Sequence, residues 1–159
     1  MKIENIKELE QIAKEIRKGI IEAVYSGKSG HPGGSLSITD IMTVLYFNEM
    51  NINPEQPKDE NRDRLVLSKG HCAPALYSTL ARRGFFEVEE LQTLRNIESR
   101  LQGHPDMKNI PGVDMTTGSL GQGLSAANGM AIAGKLDNKD YRVYCILGDG
   151  EIEEGQVWE

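Results

Sequence analysis

The aspartate in "LGDGE" (Leu147–Glu151) ends an apolar run, "RVYCIL" (Arg142–Leu147), and has glycine on both sides. Flanking glycines let the backbone turn tightly while exposing its amides. A carboxylate held there is a hard oxygen ligand suited to Mg²⁺ or Ca²⁺. Amides, a metal and a following helix N-terminus would together make a diphosphate site. The same residues also suit a tight turn in which Asp149 caps the next helix.

The chain has three histidines, each in glycine-containing surroundings: "SGHPGG" (His31), "KGHCAP" (His71) and "QGHPDM" (His104). None falls on a helical core stripe. Imidazole exchanges protons near neutral pH and hydrogen-bonds hydroxyls, so three on converging loops would form a polar active-site rim. Taken singly, each is equally a surface or turn histidine. No H-x-H or H-x₃-H pair lies on one element, which weakens a three-histidine metal centre. "TTGSLGQG" (Thr116–Gly123) is a glycine-rich loop but not a Walker A, because no Lys-Ser or Lys-Thr follows. It also does not directly follow a clear strand, as a dinucleotide fingerprint would. It remains suited to bringing backbone amides against a flat heterocycle.

These loops need elements to carry them. Ile3, Ile6, Leu9, Ile12, Ile16, Ile20 and Val24 recur every three or four residues, which predicts an amphipathic helix over residues 3–26. "SGKSGHPGG" breaks it. A second helix is expected from Ser37–Asp40 onward, burying Ile41, Met42, Leu45 and Tyr46. "NINPEQPKDENRD" (Asn51–Asp63) is a polar loop. "RLVLS" (Arg64–Ser68) and "RVYCIL" read as buried strands, and residues 74–83, 88–96 and 124–136 as helices. Residues 101–123 form a long irregular stretch, of the kind that compact domains keep for function. Strands separated by helices imply an α/β fold with a parallel sheet flanked by helices. In such sheets ligands bind at the carboxyl ends of the strands, where "SKGH" and "GDGE" stand. The Ala/Gly-rich composition of the last long helix allows another backbone to pack close.

Composition excludes other classes. With 159 residues, one domain over 1–159 is expected. A net charge of −6 gives no footprint for nucleic acid or an anionic membrane. Cys72 and Cys145 show no CxxC spacing, and Cys145, inside an apolar run, reads as a small core residue. No signal-peptide or membrane-spanning stretch is present, so the reading is cytoplasmic.

Taken in order, "KSGHPGGSLS", "LSKGHCAPALY", "QGHPD", "TTGSLGQGLSAANGMA" and "LGDGEIEEGQVWE" resemble the N-terminal, thiamine diphosphate-binding part of transketolase. The matching stretches run from Lys28 to Glu159. "TGSLGQG", with Ser119, and "GQVWE" are most similar to the split form, in which separate N- and C-terminal subunits make the enzyme; long single-chain members more often carry proline at the Ser119 position. The resemblance implies transfer of a two-carbon ketol unit between sugar phosphates, with thiamine diphosphate and Mg²⁺ (Ca²⁺ as an alternative) as cofactors. It further implies a homodimer and a C-terminal partner subunit.

Residue by residue, the resemblance makes Asp149 the metal ligand and turns the Gly150 amide toward the diphosphate. Gly118 and Leu120 would meet the aminopyrimidine through their backbone. With His71, Ser119, Gly148 and Glu154 these residues complete the cofactor-binding set. His31, His71 and His104 would line the channel, bind donor and acceptor hydroxyls and move protons, with His104 closest to the donor's terminal hydroxyl. Glu154 and Glu159 match acidic positions near the dimer interface.

In the family, the metal's asparagine ligand and the glutamate that activates the aminopyrimidine lie beyond the matched stretch. The expected fold is therefore the thiamine diphosphate-binding fold, incomplete and C-terminally truncated before the second half of the metal motif. With one carboxylate for a cation that wants about six oxygens, the chain alone is expected to bind cofactor weakly and to be inactive. Two alternatives remain. One is an inactive fragment of another thiamine diphosphate enzyme such as deoxyxylulose-phosphate synthase, whose loop normally carries a histidine where "GSLGQG" stands. The other is a non-catalytic subunit that folds only against its partner.

Overall fold

The computed structural model describes residues 2–159. Helix α1 spans Ile6–Ser26, and its start is set by Asn5, whose side chain accepts a hydrogen bond from the Lys7 amide. That cap leaves Ile3 outside the helix, where its N–H donates to the Phe47 carbonyl at 2.8 Å. Ala13, Ile16, Ile20 and Ala23 form the buried stripe, while Ile6 in the first turn stays exposed.

The glycine-rich break after α1 is shorter than its composition suggests. Pro32 opens a short helix α2 (Pro32–Ser37) at the first-turn position that suits its fixed φ. Helix α3 (Thr39–Val44) follows and runs into a π-helical turn, Leu45–Glu49. Ile38, Met42 and Tyr46, at i+4 steps, are the buried row. Ile41, expected inside, lies on the flank of that row and is exposed, and Leu45 is only partly buried.

Strands β1 (Arg64–Leu67) and β2 (Val143–Ile146) pair in parallel, with Arg64 opposite Val143 and Leu67 opposite Ile146. Side-chain alternation sends Leu65 and Leu67 into the core with α1, α3 and α4, and Val66 to the other face. Asp63 locks the lower end of the sheet by accepting from the Asn51 and Arg142 amides, each at 2.7 Å. Beyond β1, a 3₁₀ turn (Gly70–Cys72) leads into α4 (Ala73–Arg83), which is buried over Ala73–Ala81. Its hydroxyls are satisfied: Ser78 donates to the Ile16 carbonyl and Thr79 to the Ala75 carbonyl.

The expected helix at 88–96 is a 3₁₀ segment, Val88–Thr93, and the chain then turns through Arg95 at φ 62°. Helix α5 (Gln122–Leu136) packs on both strands. Its Ala/Gly composition serves that contact, since a Cβ on Gly123 would fall 2.6 Å from the Ser68 Cα. Cys145, expected in the core, is only half-buried, in a strand that buries Ile146 alone. A 3₁₀ turn (Glu151–Glu153) and a short α6 (Gly155–Trp158) follow β2. No helix among the described residues is long and apolar enough to cross a membrane.

Candidate active site

The in-register pairing brings the ends of both strands to one edge. The Ser68 amide donates to the Ile146 carbonyl at 2.9 Å, so Ser68–His71 and Leu147–Gly150 leave the sheet side by side. The irregular stretch between Leu101 and Gly121 is fastened along β1, from its amino end up to this edge. Asp114, buried, pairs with Arg62 and accepts from the Leu65 amide at 2.7 Å, and Thr117 donates to the Leu67 carbonyl at 2.7 Å. Asp106 folds the loop on itself by accepting from the Lys108 amide and the Thr116 hydroxyl. Those bonds, the Lys108 amide first, hold its carboxyl below the usual range.

Asp149 is exposed on the turn after β2. It does not cap the following turn. No side chain caps it; the Glu151 carboxylate instead reaches back to accept from the Gly148 amide at 2.9 Å. Nothing stands within 4 Å of where a Cβ on Gly150 would be, so this backbone is open to an approaching group. Among the described residues no group of three or more His, Cys, Asp or Glu side chains forms a metal cluster. The turn thus fits part of a divalent-metal and diphosphate site: one free carboxylate and open amides, with most of the roughly six oxygens such a cation takes still to be supplied.

His31 occupies the N-cap position of α2 and His71 the 3₁₀ turn after β1. Their rings lie edge to face with centroids 5.0 Å apart. Burial, then the His31, Lys69 and His104 charges, hold the His71 imidazole below its ordinary pKa, while Glu151 opposes them. His104 is exposed and sits against the glycine loop, where a Cβ on Gly118 would fall 3.3 Å from its Cδ2. The buried Tyr77 hydroxyl donates to the backbone carbonyls of Gln102 and His104, fixing this turn. Gly118, Ser119 and Leu120 are exposed around a small concavity of ≈110 Å³ that Thr117, Gly118, Ser119 and Gln122 help to line. Two larger depressions, ≈540 Å³ each, lie elsewhere, around Glu90–Arg100 and at the opposite end of the strands beside Asp63 and Arg142. The strand-end site is an open ledge. Glu154 reaches this ledge through its Cβ, close to Gly121, and Glu159 is exposed at the end of α6.

Two charged residues here escape sequence reasoning. Lys69 is buried; its stem passes Gly148 and its ammonium donates to the Gly34 carbonyl at 3.3 Å. Glu151 is 2% exposed and accepts three hydrogen bonds. The only local signal for either is a charge two residues from His71 or Asp149. The cysteines offer no nucleophile, since burial pushes the Cys145 thiol up to about 11 and raises that of Cys72 as well.

Residues 8–159 match the family described as transketolase, thiamine diphosphate binding domain. The chain is 51% identical over 152 residues to 6-deoxy-6-sulfo-D-fructose transketolase subunit SqwG of Clostridium sp. (strain MSTE9), covering 96% of this chain and 55% of that protein. It is 46% identical to an apulose-4-phosphate transketolase subunit of Phocaeicola vulgatus, covering 97% and 54%. Against human transketolase it is 48% identical, covering 98% of this chain and 25% of that one. The chain therefore spans about half the length of these two subunits and a quarter of the human protein. Among solved structures, transketolase from Campylobacter jejuni superposes with a TM-score of 0.89 at 36% identity, covering 97% of this chain and 25% of that one. By the family match and these likenesses, the chain belongs to the transketolase thiamine diphosphate-binding domain family.

Proposed function

We propose that this chain is the N-terminal part of a transketolase that moves a two-carbon ketol unit from a ketose phosphate to an aldose phosphate, acting as a homodimer and only with the remainder of the enzyme or a C-terminal partner subunit. One observation carries the reading: the turn that bears the exposed Asp149 leaves the sheet beside the end of β1 that leads to His71, whose ring meets that of His31, and Glu151 ties that turn to Gly121 at the end of the Gly118 loop. Relatives named as transketolase subunits, of which this chain spans about half, support a reading in which the enzyme is divided between chains.

In this reading Asp149 ligates Mg²⁺ or Ca²⁺ and the Gly150 amide, with Gly148 behind it, faces the diphosphate. Gly118, Ser119 and Leu120 present backbone to the aminopyrimidine. Thiamine diphosphate, when bound, supplies the chemistry that cleaves and remakes the carbon–carbon bond. The chain's own share is orientation and proton handling. His71, with its pKa held low, is largely neutral at pH 7 and so can accept a hydroxyl proton as well as return one. His31, whose ring meets the edge or face of His71, and His104 hold substrate hydroxyls. Glu154 contributes to the cofactor side, and with Glu159 it faces the homodimer partner.

One carboxylate leaves the metal short of ligands, so the chain by itself is expected to bind cofactor weakly and to be inactive. The test is ketol transfer, assayed with thiamine diphosphate and Mg²⁺, by this chain alone and mixed with a C-terminal transketolase subunit. Turnover in the mixture only supports the two-chain reading; turnover by the lone chain contradicts it.

A further inference from the structure

Glu151 is the one buried carboxylate at the ledge, and its two oxygens serve three different segments. Oε1 accepts from the Ser68 hydroxyl, at the end of β1, and from the Gly121 amide, at the end of the glycine loop, at 2.9 Å. Oε2 accepts from the Gly148 amide, at the end of β2, also at 2.9 Å. The sequence separations are 83, 30 and 3 residues. No ion pair within 4.0 Å neutralises it among the described residues. A buried, unpaired anion is costly unless hydrogen bonds stabilise it, and three charge-assisted donors do so here. No neutral side chain of this size accepts from three donors without turning one of its own against them.

Resting on the functional reading above, we infer that Glu151 is a positioning residue that sets the distance between the two halves of the cofactor site. Gly148 begins the turn that bears Asp149 and Gly150, where the metal and diphosphate would sit. Gly121 ends the loop of Gly118, Ser119 and Leu120, where the ring would sit. Gly121 holds φ +82°, which points its N–H at the carboxylate and suits glycine. Both halves are tied through one side chain to Ser68, which is itself fixed to the sheet by the hydrogen bond its N–H donates to the Ile146 carbonyl. Glu151 touches neither substrate nor cofactor in this arrangement; both of its oxygens are occupied by the protein.

Glu151→Gln tests this. The amide keeps the length and packing but faces at least one of the three donors with an N–H₂. Two measurements are made: amide hydrogen exchange at Gly121 and Gly148 in this chain without cofactor, and binding of thiamine diphosphate with Mg²⁺ to the chain assembled with its C-terminal subunit. The expected result is exchange at least ten-fold faster at these two amides, with α1 amides unchanged, and cofactor binding at least ten-fold weaker. Unchanged exchange and affinity overturn the inference, as does acceleration that extends equally through α1, which would make Glu151 a general stability residue. If Glu151→Gln does not fold, Ser68→Ala decides: two- to five-fold faster exchange at Gly121 supports the clamp, and wild-type exchange refutes it. Failure of the wild-type assembly to bind thiamine diphosphate would instead overturn the functional reading, with exchange still judging the clamp.

Discussion

The two flanks of this sheet are built to different standards. On the β1 side, Ile16, Ile20, Leu76, Tyr77 and Leu80 are each at most 2% exposed, and α4 is buried around its whole circumference. On the β2 side, α5 buries only Gly123, Ala127 and Gly134, while Ile132, Leu136 and Trp158 are 58%, 77% and 80% exposed. Strand β1 is buried over Leu65–Leu67, whereas β2 buries Ile146 alone. The stability of the chain therefore resides in the α1–α4–β1 side. The residues with chemical potential lie where that side meets the open one, braced by the buried polar bonds of Glu151, Asp114 and Thr117 rather than by apolar packing.

The sharpest way to break this contrast is to truncate one leucine on each side. Leu80→Ala, at a site fully buried in α4, is expected to cost about 3 kcal/mol of unfolding free energy. Leu136→Ala on the exposed end of α5 should stay within about 0.5 kcal/mol. Urea denaturation of both variants checks this, and equal costs would erase the distinction. A pair of glycines in α5 then sharpens it. Gly123→Ala drives a methyl into the Ser68 backbone and is expected to cost about 1–3 kcal/mol, because neither strand nor helix can yield freely. Gly129→Ala, with open space around it, is expected to stabilise by about 0.5–1 kcal/mol through helix propensity. Opposite signs in thermal unfolding would show that this helix is tight only on its sheet face.

The smallest effect concerns pH. Because burial and then the His31 charge lower the His71 pKa below 6.5, the fold favours neutral imidazole and the unfolded chain binds the proton more readily. The stability linked to His71 is thus present above the unfolded value near 6.5 and lost as pH falls through the lower folded one. An NMR titration should place the His71 midpoint below 6.5, and His31→Ala should move it partway back up, burial being the larger cause. A midpoint at or above 6.5 would remove His71 from the desolvated edge.

Much of this organisation is legible in the amino-acid order, because it is local. The 3.6-residue rhythm of α1, the apolar runs of β1 and β2, and the glycine at the C-terminus of α4 are all set within a few neighbours. Where local signals conflict the reading slips. Gly33 and Gly34 read as breakers, yet Pro32 starts α2 in front of them. Ile41 looks apolar enough to bury, yet Ile38 takes its place in the row. What braces the site is not local at all. Asp114 reaches Arg62 across 52 residues and Glu151 reaches Ser68 across 83, so neither bond leaves a trace in spacing. The chemical residues themselves, Asp149 and the three histidines, stand out by type and glycine context; their mutual geometry does not.

The most direct test of the metal-anchoring role is calorimetric titration of thiamine diphosphate with Mg²⁺ into this chain assembled with a C-terminal subunit, comparing wild type with Asp149→Ala. Loss of metal-dependent binding, with the unfolding temperature unchanged, is the expected result, since the exposed carboxylate supports no internal bond in this turn. Equal affinity in the two proteins would mean that Asp149 grips no ion and that the diphosphate is anchored elsewhere.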